Sequence, residues 1–462
     1  MINNKIKNLI LLISVLVCIV LSSRIWLQLP NFLSYNSEKN EIVEEKELKI
    51  DFWSLVKPVK AVIKFNENYT IIYSAEDKEL WKKTIEAIDK GLSGKSEKIN
   101  ISNSAAFPIN YFKFDFATSI PIEIFEKQME IYNIELNDKV STIKNIILDL
   151  DNKNTIYFYD GKDTIKVESE DLNTEEVAKI IKELDYSKYP KYSTNEKIGD
   201  QTIKIPVPLE TTVKNPIFVQ SELDVFDTEA INKIAKDYFK NDYDYVRKAV
   251  EVSGNRVFMY RTEKVLKVNS EGQLDFYDSN IESDSNIGEY ESLLTALKFT
   301  EDFLGFPQEG FLSNIETVQY EGNFGYRFIF SYKLQNRPLL FSRVRPNAAL
   351  QIDVVGNKVV SYKRFIRDID ETQKDKMLNY EILPAVQVIE KNMQTDIAAA
   401  NNLLELKPIK AEKIKDINNI YLGYFDLSRI SKEQVLRVVW VVEMKDKTYI
   451  FNAITGALIE EW

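Results

Sequence analysis

The sequence predicts an α+β protein, in which an N-terminal transmembrane helix precedes a multi-domain ectodomain of antiparallel sheets with packed helices. An apolar stretch from Leu9 to Leu21 follows Lys5 and Lys7, and residues 31–462 contain no second such stretch. Beyond it, helical periodicity and strand-like alternation follow one another along the chain. The later domains repeat a unit of one helix followed by strands with short connections, which favours antiparallel sheets.

The first thirty residues are interpreted as a cytoplasmic tip and an uncleaved anchor. The apolar run of thirteen residues is also typical of a signal peptide, so cleavage is the alternative. Retention is favoured because residues 21–23 lack a small-residue cleavage pattern and residues 6–27 can span about 30 Å of hydrocarbon. The positive charge that precedes the run predicts a cytoplasmic N-terminus and an extracellular C-terminal ectodomain. The predicted anchor residues are Leu9, Leu12, Ile13, Val17, Val20 and Trp26.

The composition excludes several classes of chemistry. The chain has no histidine, and its single cysteine, Cys18, lies in the predicted anchor. Histidine-dependent catalysis, thiolate zinc sites and internal disulfides are therefore excluded, and no cofactor is expected. Residues 31–462 carry 57 basic and 71 acidic side chains, a net charge of −14, which argues against binding to nucleic acid or to anionic lipid.

The pattern of charge, proline and periodicity divides the chain into six parts. Residues 31–49 are polar and rich in alternating charges, as in a tether, and prolines cluster between residues 188 and 216. The predicted parts are the tip and anchor (1–30), the tether (31–49), an N-terminal α+β domain (50–192), a linker region (193–216), a middle α+β domain (217–312) and a C-terminal β-rich domain (313–462).

Local patterns predict the elements of the N-terminal domain. Residues 76–92 place Leu80, Trp81 and Ile85 on one helical face, and Asp160-Gly161 is a hairpin turn signal. The predicted elements are strands at 51–65 and 69–74, a helix at 76–92, a hairpin at 155–169 and a helix at 174–184 that Thr174 caps.

Three helices begin the later units, at residues 228–239, 289–306 and 382–397, and each leads into strands. Gly356 and Gly456, one hundred residues apart, are expected to form hairpin turns with positive φ. The earliest copy, which turns at Gly272, matches the other two less closely. Asn336-Arg337-Pro338 is a turn signal between two strands.

Two acidic segments resemble cation sites only superficially. Residues 149–154 begin like a calcium loop, but Lys153 occupies the third ligand position and no glycine follows, so a polar hairpin loop is favoured. The spacing of acidic residues in 275–284 fits no metal geometry, and a solvated loop is favoured there. A glycosidase-like carboxylate pair stays open as an alternative, although the sequence singles out no pair.

The arginines are unevenly distributed. Six of the twelve lie within 41 residues of a chain that otherwise uses lysine, and arginine is favoured for bidentate carboxylate pairing and at interfaces. One interpretation is an intramolecular salt-bridge ladder on an exposed sheet, and the other is a partner-binding patch. The candidate partner-binding residues are Arg327, Arg337, Arg343, Arg345, Arg364 and Arg367, with Arg343 and Arg345 on one strand face.

Several motifs together resemble the YycH family of extracytoplasmic regulators. They are IWLQLP at residues 25–30, the acidic three-part ectodomain, the two β-rich repeats, and NAITG at residues 452–456. The closing residues 440–462 also resemble the end of the sister regulator YycI.

The resemblance implies a protein without enzymatic activity from a Gram-positive cell membrane. YycH regulators accompany the YycG/YycF (WalK/WalR) two-component system, which controls cell-wall metabolism. The implied function is modulation of a WalK/YycG-type sensor histidine kinase through transmembrane and extracytoplasmic contacts, with a YycI-type regulator as the second partner. The alternative is an extracytoplasmic cell-wall-binding protein or a carboxylate-dependent wall hydrolase.

Overall fold

The computed structural model describes most of the chain from residue 51 onward. The described ranges are 51–73, 77–92, 99–104, 107–130, 134–281, 287–342, 348–394, 409–427 and 435–462. The predicted transmembrane helix and tether lie outside these ranges. Within them, no helix is both long enough and apolar enough to cross a membrane.

The N-terminal part is a single antiparallel sheet of seven strands with helices packed against it. Its spatial order is β2-β1-β4-β5-β6-β7-β3. The strands are β1 (Lys60–Phe65), β2 (Asn68–Ile72), β3 (Ile99–Ser104), β4 (Tyr111–Pro121), β5 (Thr142–Asp149), β6 (Thr155–Tyr159) and β7 (Thr164–Ser169). The helices are α1 (Phe52–Leu55), α2 (Asp77–Leu92), α3 (Ile122–Met129), α4 (Ile134–Lys139) and α5 (Glu175–Glu183).

The amphipathic patterns of this part predict which side chains form its core. Leu80, Trp81 and Ile85 of α2 are buried, as their spacing predicts. The predicted 155–169 hairpin is confirmed as β6 and β7, and the Asp160 carboxylate accepts hydrogen bonds from the two N–H groups that follow Gly161. The sheet and its helices share one apolar core.

Two local predictions for this part are wrong. Residues 51–65 are not one strand, because α1 forms first and Pro58, which cannot continue a helix hydrogen-bond ladder, separates it from β1. Thr174 precedes α5 but does not cap it with its side chain, because its hydroxyl donates instead to the Lys153 carbonyl oxygen.

The chain between the N-terminal sheet and the later sheets forms short strands. These are β8 (Tyr192–Ser193), β9 (Lys197–Ile198), β10 (Gln201–Thr202), β11 (Val207–Pro208), β12 (Thr212–Asn215) and β13 (Ile217–Ser221). The Asn215–Pro216 peptide bond between the last two is cis.

Two helix-plus-meander units follow and share one sheet. The first contains α6 (Thr228–Phe239), β14 (Arg247–Val250), β15 (Arg256–Tyr260), β16 (Lys264–Val268) and β17 (Leu274–Asp278). The second contains α7 (Glu289–Phe303), β18 (Gly310–Tyr320), β19 (Asn323–Leu334), β20 (Arg337–Phe341), β21 (Leu350–Val355) and β22 (Lys358–Arg364). Strands β17 and β22 pair antiparallel, so the order β14-β15-β16-β17-β22-β21-β19-β18 is continuous. Both helices pack on this sheet: the Phe276 ring lies 4.1 Å from Tyr238 and 5.8 Å from Phe299.

The last unit has the same plan. Its elements are β23 (Arg367–Ile369), β24 (Leu378–Glu381), α8 (Ala385–Lys391), β25 (Met393–Gln394), β26 (Ile409–Lys410), β27 (Ile417–Asp426), β28 (Val435–Met444), β29 (Thr448–Asn452) and β30 (Leu458–Glu461). Strands β27 to β30 form an antiparallel meander, and β20 joins it by pairing parallel with β27. Trp440 is buried in its core and donates its indole N–H to the Leu383 carbonyl oxygen.

The predicted bounds of the three later helices agree with the structure to different extents. The helix at 228–239 is confirmed with the same bounds, and the helix at 289–306 ends three residues early, at Phe303. The helix predicted at 382–397 is wrong in length, because the Asn392 amide donates to the Val388 and Gly456 carbonyl oxygens and the chain turns into β25. Gly356 and Gly456 have φ of 59° and 72°, which confirms their predicted turns.

Candidate functional site

The predicted anchor residues, Leu9 to Trp26, and two of the six arginines, Arg343 and Arg345, lie outside the described residues. The structure places the other four arginines. All four form ion pairs within the chain, but the structure does not bring them together as one patch.

Arg364 and Arg367 are buried rather than displayed on an exposed sheet. The Arg364 guanidinium makes a bidentate contact with Glu222, at 2.6 and 2.7 Å, and also donates to the Gly305 carbonyl oxygen. Arg367 Nε lies 3.2 Å from Asp426 Oδ2, and each of these two side chains is 1% exposed. Both pairs join elements distant in sequence, so each links two segments of the later sheets by a directional contact.

Arg327 belongs to a cross-strand ladder. Its guanidinium makes a bidentate contact with Asp353 on β21, at 2.7 and 2.9 Å, and lies 3.7 Å from Glu316 on β18. The Tyr320 hydroxyl donates to the same Asp353 carboxylate, and burial raises the pKa of Tyr320 to about 12. This is the intramolecular ladder that the sequence offered as one interpretation, and contact with a partner stays a prediction.

Arg337 lies at a hairpin turn between two cavities. Gln335 and Asn336 have positive φ, which confirms a turn between β19 and β20, with Arg337 already in the second strand. The Arg337 guanidinium donates to Glu210 at 2.7 Å, and the two side chains are 20% and 22% exposed. The cavities measure about 310 Å³ and 480 Å³, and tyrosines 73, 189, 192 and 421 line the smaller one.

A polar junction, defined by Lys60, Asp115, Asn145, Asn419 and Glu443, adjoins the smaller cavity. Lys60 on β1 donates to the Asn419 Oδ1 on β27 at 3.2 Å and lies 3.7 Å from Asp115. Asn145 donates to the same Asp115 at 2.7 Å, and Asn419 donates to Glu443 at 3.1 Å. The junction therefore ties the N-terminal sheet to the last meander by directional contacts.

Burial controls the ionisation of the junction. Desolvation lowers the pKa of Lys60 and Lys144, although Asp115 opposes this shift in both. Desolvation also raises the pKa of Tyr73 and Tyr421, so these phenols stay neutral at physiological pH. The Tyr421 hydroxyl donates to Glu443 at 3.2 Å and so extends the network to the cavity wall.

Sequence reasoning missed this junction. Lys60 and Asn419 are 359 residues apart, and each sits in an ordinary alternating strand. The only local signal was a lysine among the apolar residues of β1, which also fits a solvent-facing position.

The two acidic segments behave as polar turns where they are described. The Asp149 carboxylate accepts hydrogen bonds from the backbone N–H groups of Asp151 and Asn152, in the loop between β5 and β6. Asp278 pairs with Lys358 at 2.8 Å, and residues 282–286 are outside the described set. Within the described ranges no group of three acidic or thiol ligands is arranged to hold a metal ion.

Comparisons with known proteins give a family match for the N-terminal part. Residues 4–188 match the model of the YycH protein, N-terminal domain. No curated protein matches the chain. Among solved structures, the Bacillus megaterium YpeB C-terminal domain aligns at 13% identity with a TM-score of 0.26, covering 51% of this chain and 96% of that one.

The resemblance of the closing residues to YycI is not confirmed and stays a prediction. YycH proteins are regulatory and non-catalytic, are membrane-associated and extracytoplasmic, and are associated with the YycG kinase system. The match over residues 4–188 confirms, for the N-terminal part of the chain, the resemblance to the YycH family that the sequence motifs indicate.

Proposed function

We propose that this chain is a membrane-anchored, non-catalytic regulator of a WalK/YycG-type sensor histidine kinase that controls cell-wall metabolism. The family match carries the proposal, because residues 4–188 include both the predicted anchor and the seven-stranded sheet. The regulator acts through its transmembrane segment and through extracytoplasmic contacts with the kinase and a YycI-type protein.

The physical mechanism is differential binding. A regulator that binds one signalling state of the kinase more tightly than the other shifts the population by no more than that difference. A coupling free energy of about 1–3 kcal/mol changes the equilibrium about 5- to 150-fold.

The polar junction supports such a mechanism. It fixes the N-terminal sheet, which follows the predicted anchor in sequence, to the last meander through Lys60 and Asn419. Residues 50–462 form one compact unit, so a partner bound to the later sheets is held in a defined relation to the N-terminal sheet. Of the four described candidate arginines, Arg327 and Arg337 reach solvent and are the ones we propose for partner contact.

The proposal is tested first by crosslinking the full-length protein in its native membrane and identifying the captured proteins by mass spectrometry. Recovery of the sensor kinase and a YycI-type protein is the expected result. A processed N-terminus with bound wall fragments, and neither regulator partner, would instead support the cell-wall-binding alternative.

The anchor is tested by replacing residues 6–29 with an unrelated apolar span of equal length. Regulation of the kinase should weaken, because the specific contacts of the span in the bilayer are lost. Limited proteolysis should show an ectodomain as resistant as the parent. A variant with Leu12→Ile and Val17→Ile is the matched control, and unchanged kinase output after the full replacement would refute the transmembrane contact.

A further inference from the structure

Strand β14 has an open edge. It pairs with β15 and with no other strand among the described residues, and all four of its residues are exposed. An exposed edge strand presents free N–H and C=O groups that can pair with another chain. Val250 is 68% exposed, and the Val252 side chain beyond it is fully exposed.

The hydrogen bonds of the β14–β15 hairpin show which groups face this edge. The Glu251 N–H donates to the Asn255 carbonyl oxygen at 2.9 Å. Because backbone groups alternate in direction along an antiparallel strand, Ala249 and Arg247 also point toward β15. The N–H and C=O groups of Lys248 and Val250 therefore point outward.

The sequence at this edge is complementary to itself about Ala249. Residues 246–252 read VRKAVEV, with Ala249 at the centre and a valine at each end. When two copies of this segment are placed antiparallel about Ala249, Lys248 lies opposite Val250 of the second copy. The outward-pointing N–H and C=O groups of these two residues then form hydrogen bonds with each other. Arg247 then lies opposite Glu251, and Val246 opposite Val252.

The charges favour this register over its neighbours. Arg247 has no ion pair among the described residues, whereas Glu251 accepts from Lys267 at 3.0 Å. Moving the axis to Arg247, Lys248 or Glu251 keeps the outward hydrogen-bonding groups in phase but places two like charges directly opposite each other, and an axis at Val250 gives no pair of opposite charges. The axis at Ala249 instead gives two Arg247–Glu251 pairs.

We propose that β14 pairs antiparallel with β14 of a second copy of this chain about an axis at Ala249, which joins the two eight-stranded sheets edge to edge. An isologous contact of this kind closes on itself, so it forms a dimer and not a filament. The proposal is independent of the proposed kinase regulation.

Exposed apolar side chains lie in segments next to β14 and next to its partner strand β15. Val250 lies directly opposite Arg256 on β15, and the Arg256 Nε donates to the Val225 carbonyl oxygen at 2.6 Å. The next residue, Phe226, is 77% exposed, and Tyr245 just before β14 is 73% exposed. Three exposed apolar side chains, Phe226, Val250 and Tyr245, thus belong to the segments around the open edge.

Disulfide trapping tests the register in the full-length chain. With Cys18 replaced by serine, Ala249→Cys provides the only thiol, and membranes are treated with copper phenanthroline. The paired Cα atoms would be about 4.5 Å apart, within the range of about 4.4–6.8 Å that a disulfide spans. We expect a disulfide-linked species of twice the 53.7 kDa chain mass. Leu378→Cys, on a strand residue that is 64% exposed, is the control for random collision.

Charge exchange tests the pairing itself. Adding Arg247→Glu to the Ala249→Cys chain should lower the yield about tenfold, because both cross-copy ion pairs become repulsive. Exchanging three charges together, Arg247→Glu with Glu251→Lys and Lys267→Glu, preserves the pairs within and between copies and should restore the yield. The proposal is overturned by a yield no higher than that of Leu378→Cys, by a dimer that Arg247→Glu leaves unchanged, or by a disulfide to a different protein.

Discussion

Removing the Asp426 carboxylate should destabilise the fold far more than removing both members of its ion pair. Arg367 and Asp426 are each 1% exposed, and the Arg367 guanidinium also lies 4.6 Å from the centroid of the Phe365 ring. Asp426→Leu removes the carboxylate whose Oδ2 lies 3.2 Å from the Nε of that buried guanidinium. A buried charge that loses its partner costs about 3–5 kcal/mol.

The double variant Arg367→Met/Asp426→Leu removes both charges and retains most of the apolar volume. Replacing a buried pair by packed apolar residues is often close to neutral, so the double variant should lie within about 1–2 kcal/mol of the parent. Urea unfolding followed by circular dichroism measures both free-energy changes.

A surface pair provides the control for this experiment. Glu371 and Lys374 lie 3.0 Å apart with side chains about two-thirds exposed, and Lys374→Met should change the free energy of unfolding by less than about 1 kcal/mol. Equal losses in Asp426→Leu and in the double variant would refute the reasoning, because the ion pair would then not account for the effect.

Two further predictions concern other positions. Burial, helped by the charge of Glu123, raises the pKa of Glu289 from 4.5 to about 6. Below pH 4.5 the carboxyl is protonated in the folded and in the unfolded chain, so it does not change the free energy of unfolding. Above pH 6 it is ionised in both, and the cost of ionising it in the folded chain lowers that free energy. Because the side chain is partly exposed, Glu289→Gln should raise the free energy of unfolding by only about 1 kcal/mol at pH 7, and it should not change it at pH 4. Urea titrations at both pH values measure this difference. Equal effects at both pH values would contradict the prediction. Gly272→Ala should lose about 2 kcal/mol or more, since φ is +84° and the new Cβ would meet the Leu223 carbonyl oxygen. Gly161→Ala, with φ of +107° and open space, is its control and should lose less in thermal unfolding.

Strong local signals predict elements well. The helix at 228–239 has the bounds that its periodicity indicates, because the Asp227 carboxylate caps it by accepting from the Ala230 N–H. Strand β18 was not predicted, since its outer half is exposed and its pattern of alternation is weak. It is held by its pairing with β19, which is a tertiary effect that overrides local preference.

The arginines illustrate the limit of sequence reasoning about the site. The high number of arginines between residues 327 and 367 indicates pairing with carboxylates. All four of these arginines that the structure describes do form such pairs. Periodicity does not reveal that Arg364 and Arg367 face the interior, because their partners, Glu222 and Asp426, come from segments 142 and 59 residues away. Burial of a charge depends on such distant partners and not on local alternation.

The polar junction also sets an order of events during synthesis. Lys60 is made early, but its partner Asn419 on β27 appears 359 residues later. Until that strand arrives, the Lys60 ammonium group has Asp115 of its own sheet beside it but keeps part of its hydration, because removing a charge from water is costly. The N-terminal sheet can pair its own strands at once, yet its completed form waits for almost the whole polypeptide. A ribosome that stops before β27 would release a chain whose first sheet still holds water where the last meander belongs.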